Sequence, residues 1–204
     1  MSDVGTTLIA GAPFVPTPGP DNGEGGVQTE PDLLALSPGG SYLYALYNEN
    51  YNTGTLYSFH MVNGVPEQVA MISGAGTAAY SEYGGQARTL AASADHVFVA
   101  TGPDDNSNGQ GRLYVFNSAA GALSAVGEYI MTSVNYPLSV QIDPAEHFVY
   151  IGYANPYQPS NNPVTGVEVP PPPNFAAVYD INSFPPTLID GAQPQSDGLQ
   201  IGAN

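Results

Sequence analysis

The chain has 204 residues, and 10% of them are charged, against about 25% in an average soluble domain. Lys plus Arg total 2 and Asp plus Glu total 18, a formal net charge of -16, so little is available to neutralise nucleic-acid phosphates or to dock on an anionic membrane surface. There is no cysteine, which excludes disulfides, thiol catalysis and thiolate metal sites.

No apolar run approaches the ~18 residues of a membrane span, and the start Met1-Ser2-Asp3-Val4-Gly5 lacks the basic-then-apolar order of a signal peptide. No membrane insertion and no nucleic-acid partner are therefore expected. Fourteen tyrosines and seven phenylalanines, together with many Val and Ile, favour strands. No stretch of helical length carries apolar residues at i, i+3, i+4, i+7 without a Gly or Pro interruption. The predicted class is all-β.

Residues 1–30 read as a Pro/Gly-rich arm, with Thr7 to Ala10 as one short strand. From 31 onward the chain repeats. Leu34-Ala35-Leu36 ends a first strand, Ser37-Pro38-Gly39-Gly40 turns, and Tyr42-Leu43-Tyr44 opens a second. Leu90 to Ala100 repeats this one residue shorter, and Val140 to Ile151 repeats it again. A third strand follows each pair, over Thr55 to Val62, Arg112 to Asn117 and Ala176 to Ile181. Fourth strands are expected over Glu67 to Ile72 and Ser124 to Met131. The Asn63-Gly64 pair before the first of these is a strong hairpin signal. Matching positions lie 56 residues apart (Leu36 to Ala92) and then 50 apart (Ala92 to Ile142), a period that suits four-stranded propeller blades. The expected units are blades over 31–73, 86–132 and 137–190, with a partial unit over 191–204.

The run Leu34-Ala35-Leu36-Ser37-Pro38-Gly39-Gly40-Ser41-Tyr42-Leu43-Tyr44 resembles the blade motif of the YVTN and lactonase-type β-propellers, and Ile142-Asp143-Pro144 with Phe148-Val149-Tyr150-Ile151 is similar. The resemblance covers about residues 30–190. It implies stacked blades of four antiparallel strands, and it leaves the activity open, since propellers host unrelated functions. Closed propellers have 4–8 blades, so three blades make an incomplete ring within one chain. Open blade edges invite another strand, which predicts a homo-oligomer or a partner chain.

Five features are candidates for chemistry. The loop 104–110 places Asp104, Asn106 and Asn108 on alternate residues ahead of Gly109, the opening pattern of a calcium loop, although Val115 stands where its closing acid belongs. Calcium is the one cofactor this suggests, and a polar hairpin loop is the plain alternative. His96 and His147 read as one slot in consecutive repeats, and His60 as packed between blades. In enzyme members of the resembled family, cations are expected to hold sugar-acid lactones, and only Arg88 and Arg112 could serve here. Each is equally readable as half of a charge pair. The insert 155–174 carries four consecutive prolines, a polyproline II signal with no flanking specificity. Tyr51, Tyr80, Tyr83 and Tyr157 fall in loops and could form a recognition surface for protein or carbohydrate. No residue set points to a catalytic centre. The reading these features favour is a non-enzymatic structural or binding module, extracellular or on a particle surface. A lactonase-like hydrolase and a calcium-dependent carbohydrate-binding module are the alternatives.

Overall fold

The structure, a computed structural model, describes residues 30–49, 53–73, 87–102, 111–131, 136–154, 160–161, 168–169 and 175–194, together with Pro16. Strands β1 (Leu33–Leu36), β2 (Tyr42–Glu49), β3 (Thr53–Val62) and β4 (Val65–Ser73) form the first sheet. Strands β5 (Ala87–Ala92), β6 (His96–Thr101), β7 (Arg112–Asn117) and β8 (Ser124–Ile130) form the second. The third sheet takes β9 (Tyr136–Ile142) and β10 (Phe148–Ala154); after the small hairpin of β11 (Ser160–Asn161) and β12 (Glu168–Val169), it adds β13 (Phe175–Asp180) and β14 (Thr187–Pro194). Neighbouring strands in each four-stranded sheet are antiparallel and follow in chain order, the β11–β12 hairpin being inserted between β10 and β13, which is the up-and-down order of a propeller blade. The last strand, Thr187–Pro194, runs across the boundary at residue 190 read from the sequence and belongs wholly to the third sheet.

One local device opens all three sheets. The residue that ends the first strand is Ser37, Ser93 or Asp143, and its side-chain oxygen accepts the backbone N–H of the residue that starts the second strand. The distances are 2.9 Å to Tyr42, 2.9 Å to His96 and 2.6 Å to Phe148. The backbone N–H of each of these residues donates to the carbonyl of the same strand-opening residue: Ser37 to Tyr42, Ser93 to His96 and Asp143 to Phe148. A short side chain that can hydrogen-bond its own backbone holds a tight turn without help from the rest of the fold. These bonds also set the register. Tyr42, His96 and Phe148 are equivalent, so His147 falls one position before His96 and the two histidines do not share a slot.

Stacking buries the sheet faces. Tyr44, Leu46 and Leu56 of the first sheet meet Leu90, Val97, Val99, Tyr114 and Phe116 of the second in one apolar cluster. The opposite face of the second sheet, Phe98, Ala100, Leu113 and Val115, meets Val140, Val149, Ile151 and Ala177 of the third in another. The second sheet is thus apolar on both faces, as a central layer must be. The far face of the first sheet buries Ala45, Tyr47, Tyr57 and Phe59 as a separate cluster.

Candidate functional site

The first strands of the three sheets, β1, β5 and β9, lie side by side, β1 against β5 and β5 against β9. They line an open cleft of about 250 Å³ with the same three positions of each repeat: residues 34–36, 90–92 and 140–142. Eight of these nine side chains are apolar, and the ninth is the exposed amide of Gln141. The lining can supply apolar contact area and one amide, and none of these nine residues can carry a proton or a charge.

Polar ties join neighbouring sheets beside the cleft. The buried Val140 N–H donates to Thr89 Oγ1 at 3.1 Å, so a hydroxyl on one inner strand satisfies a backbone group of the next. At the turn end, Glu146 accepts the Ala94 N–H at 2.9 Å. Glu146 stands at φ 58°, a left-handed conformation unusual for a side-chain-bearing residue; Gly40 occupies the matching turn position of the first sheet at φ 72°. Tyr44 donates across to the Ser118 carbonyl at 3.3 Å, and its hydroxyl pKa is raised by burial. Tyr153, fully buried between the second and third sheets, donates to Met131 Sδ at 3.0 Å, and burial raises its pKa well above the ordinary value.

His96 sits at the junction of the second and third sheets with its ring centroid 4.9 Å from that of Phe184. Burial lowers its pKa, while Asp95 and Glu146 act in the opposite sense. His60 is exposed, with its ring beside Tyr42 at 5.3 Å rather than packed between sheets. His147 is exposed on the turn. The three histidines do not converge, and among the described residues no three His, Cys, Asp or Glu side chains are grouped to hold a metal ion.

Arg112 lies on β7 and pairs with Glu128 of β8 at 2.5 Å, the charge pair that was the plain reading of this residue. Arg88 lies within β5, where the backbone bulges between Ala87 and Thr89; Leu138 takes the bulged position of β9. The calcium candidates Asp104, Asn106 and Asn108 and the loop tyrosines Tyr51, Tyr80, Tyr83 and Tyr157 lie outside the described residues, as does the four-proline run. Sequence reasoning missed Thr89, Glu146 and the contact of Phe184 with His96. Each depends on which sheet becomes its neighbour, and no local pattern announces that. The side-chain bonds of Ser37 and Asp143 had a visible signal in Ser-Pro and Asp-Pro at the end of a first strand, whereas Ser93, followed by Ala94, had none.

The two outer sheets expose surfaces that the stack buries elsewhere. Leu90 and Val140 face the preceding sheet and are 9% and 2% exposed, whereas Leu34, at the same repeat position in the first sheet, is 57% exposed. Tyr44 and Phe98 face the following sheet and are each 0% exposed, whereas the equivalent Tyr150 is only half-buried, as is Val178 beside it. On the first sheet the open part is apolar and lies at Leu34 and Leu36, the centre of that face being closed; on the third sheet Gln141 and Asp180 stand across from Tyr150 and Phe148.

No protein-family model matches the chain, and no curated protein matches it. Among solved structures the chain is similar to the periplasmic gluconolactonase of Pseudomonas aeruginosa, at 15% identity over 86% of this chain and 61% of that one, with a TM-score of 0.46. The chain therefore spans about three fifths of that protein's length.

Proposed function

We propose that the protein is a non-enzymatic structural module of YVTN or lactonase-type propeller blades, which assembles through the open face of its third sheet. The observation that carries this reading is Tyr150. Its counterparts Tyr44 and Phe98 are closed off completely by a following sheet, while Tyr150, with Val178 on the same face, stays partly exposed. A sheet face built to be covered and left open is an interaction surface. The cleft between the inner strands agrees with this reading, since its lining offers contact area and no acid or base. So does Arg112, whose charge is taken up by Glu128.

The test is light scattering at two protein concentrations, on the unaltered chain and on Tyr150→Ser. The expected result is a species heavier than one chain that grows with concentration and is lost in the variant, while the dilute variant stays folded with a melting temperature lower by only several degrees. A monomer at both concentrations would overturn the reading.

A further inference from the structure

We propose that the partner of the open third sheet is the first sheet of a second copy of this chain, joined head to tail. This rests on the assembly reading above and names the surface that completes it. Two junctions within one copy show what such a contact requires. In each, the following sheet presents the face of its first three strands, and its third-to-fourth-strand connection reaches back onto the residue that opens the second strand of the preceding sheet. Between the first and second sheets that connection is the short turn Ala119–Gly121. It packs so closely on Tyr42 that a Cβ on Gly121 would lie 2.4 Å from the ring. Between the second and third sheets, Phe184 lies on His96 in the same way.

The third sheet carries the next socket: Tyr150 and Val178, half-buried where the equivalent residues of the other two sheets are sealed, with Phe148 at the position of Tyr42 and His96 and with Gln141 and Asp180 across from Tyr150 and Phe148 on the same face. The first sheet carries the matching plug. Its turn at Asn63 and Gly64 has φ values of 52° and 78°, and the turn that docks on Tyr42 has 53° at Ala120 and 78° at Gly121. The two connections share a pair of consecutive left-handed residues ending in glycine. Gly121 is packed against a ring, whereas a Cβ on Gly64 would meet nothing within 4 Å. Leu34 and Leu36, the inner-strand part of the same plug, are both 57% exposed. Tyr47, Tyr57 and Phe59 in the middle of this face are already closed within one copy, so the contact is made at the inner strand and at the turn.

A joint between two different surfaces is heterologous; it closes into a ring or propagates. The described residues of each copy form three four-stranded sheets, so those of two copies supply about six, within the range of closed propellers. The closed dimer is the species expected. Its charge sets its salt response. Each copy carries -16, so approach is opposed at low ionic strength and eased by screening.

The experiment uses sedimentation equilibrium on the full chain, on Leu34→Glu, on Tyr150→Ser and on an equimolar mixture of the two variants. The unaltered chain is expected to be a dimer that tightens between roughly 50 and 500 mM salt. Each variant alone is expected to lose about tenfold or more in self-affinity, as buried interface residues do. The mixture is expected to recover a one-to-one pair, because one intact plug still meets one intact socket. Dissociation by Tyr150→Ser with Leu34→Glu still fully dimeric, and no recovery in the mixture, would overturn the head-to-tail joint while leaving assembly through the third sheet standing. A monomer under all conditions would overturn both. Loosening by salt would point to ion pairing and overturn the apolar joint. Leu34 is exposed in the single copy, so its substitution does not threaten the fold.

Discussion

The second and third sheets are built from the same repeat, with the same side-chain bond at the opening turn and the same order of four main strands, yet they live in different surroundings. Phe98 and Tyr150 are one position of that repeat. Phe98 is sealed between two sheets, and Tyr150 has a sheet on one side only of its own layer. Burial in this fold is therefore a property of the stack and not of the repeat. The second sheet draws its stability from both faces, whereas the third keeps part of one face in reserve.

The sharpest way to break that comparison is truncation at the shared position. Phe98→Ala should cost about 3–5 kcal/mol of stability in chemical denaturation. Tyr150→Ala should cost about 1–2 kcal/mol in dilute protein, in proportion to the smaller area it keeps from water. The gap should narrow at concentrations where the chains assemble. Equal costs in dilute protein would show that the third sheet is covered as fully as the second.

Next in size is the tie between inner strands. Thr89→Val keeps the shape and removes the acceptor for the buried Val140 N–H, which should cost about 1–3 kcal/mol, and Thr89→Ser should retain most of the stability. A neutral Thr89→Val would mean that the two inner strands are held by packing alone.

The junction of the second and third sheets should also respond to pH. His96 has its pKa lowered by burial, so the unfolded chain binds its proton more tightly than the folded one. Its contribution is complete above the ordinary value of 6.5 and is lost as pH falls through the lower folded value. Denaturation midpoints should therefore decline on acidification below about 6.5. His96→Phe, which installs the residue found at the matching position of the third sheet, should flatten that decline. An unchanged slope would place the pH response elsewhere.

The smallest effect is expected at Glu146. Glu146→Gly relieves a left-handed backbone, worth about 1 kcal/mol, and removes the bond to the Ala94 N–H. The two should nearly cancel in thermal melts. A clear loss would show that the carboxylate tie is the stronger of the two.

Much of the fold was legible because the repeat is written in local chemistry. Ser37-Pro38 and Asp143-Pro144 mark the ends of first strands, and Asn63-Gly64 marks a hairpin whose φ values of 52° and 78° suit that pair. Apolar runs such as Val97-Phe98-Val99-Ala100 announce a strand buried on both faces. The fourth strand of the third sheet was not legible. Thr187–Pro194 follows a connection with no Asn-Gly signal, and its partner β13 is what makes it a strand. Little of the site was legible. Eight of the nine cleft-lining side chains are plain apolar residues that gain meaning only when three inner strands come together.

The sequence by itself determined the class, the repeat and the turns, because these depend on backbone propensities and on side chains that bond within five residues of themselves. Only the tertiary structure decided which copy of a repeated position is sealed and which is open. Leu34 and Val140 are alike as residues and differ only in whether a preceding sheet covers them. That distinction arises from stacking order, a long-range property that no window of the sequence contains.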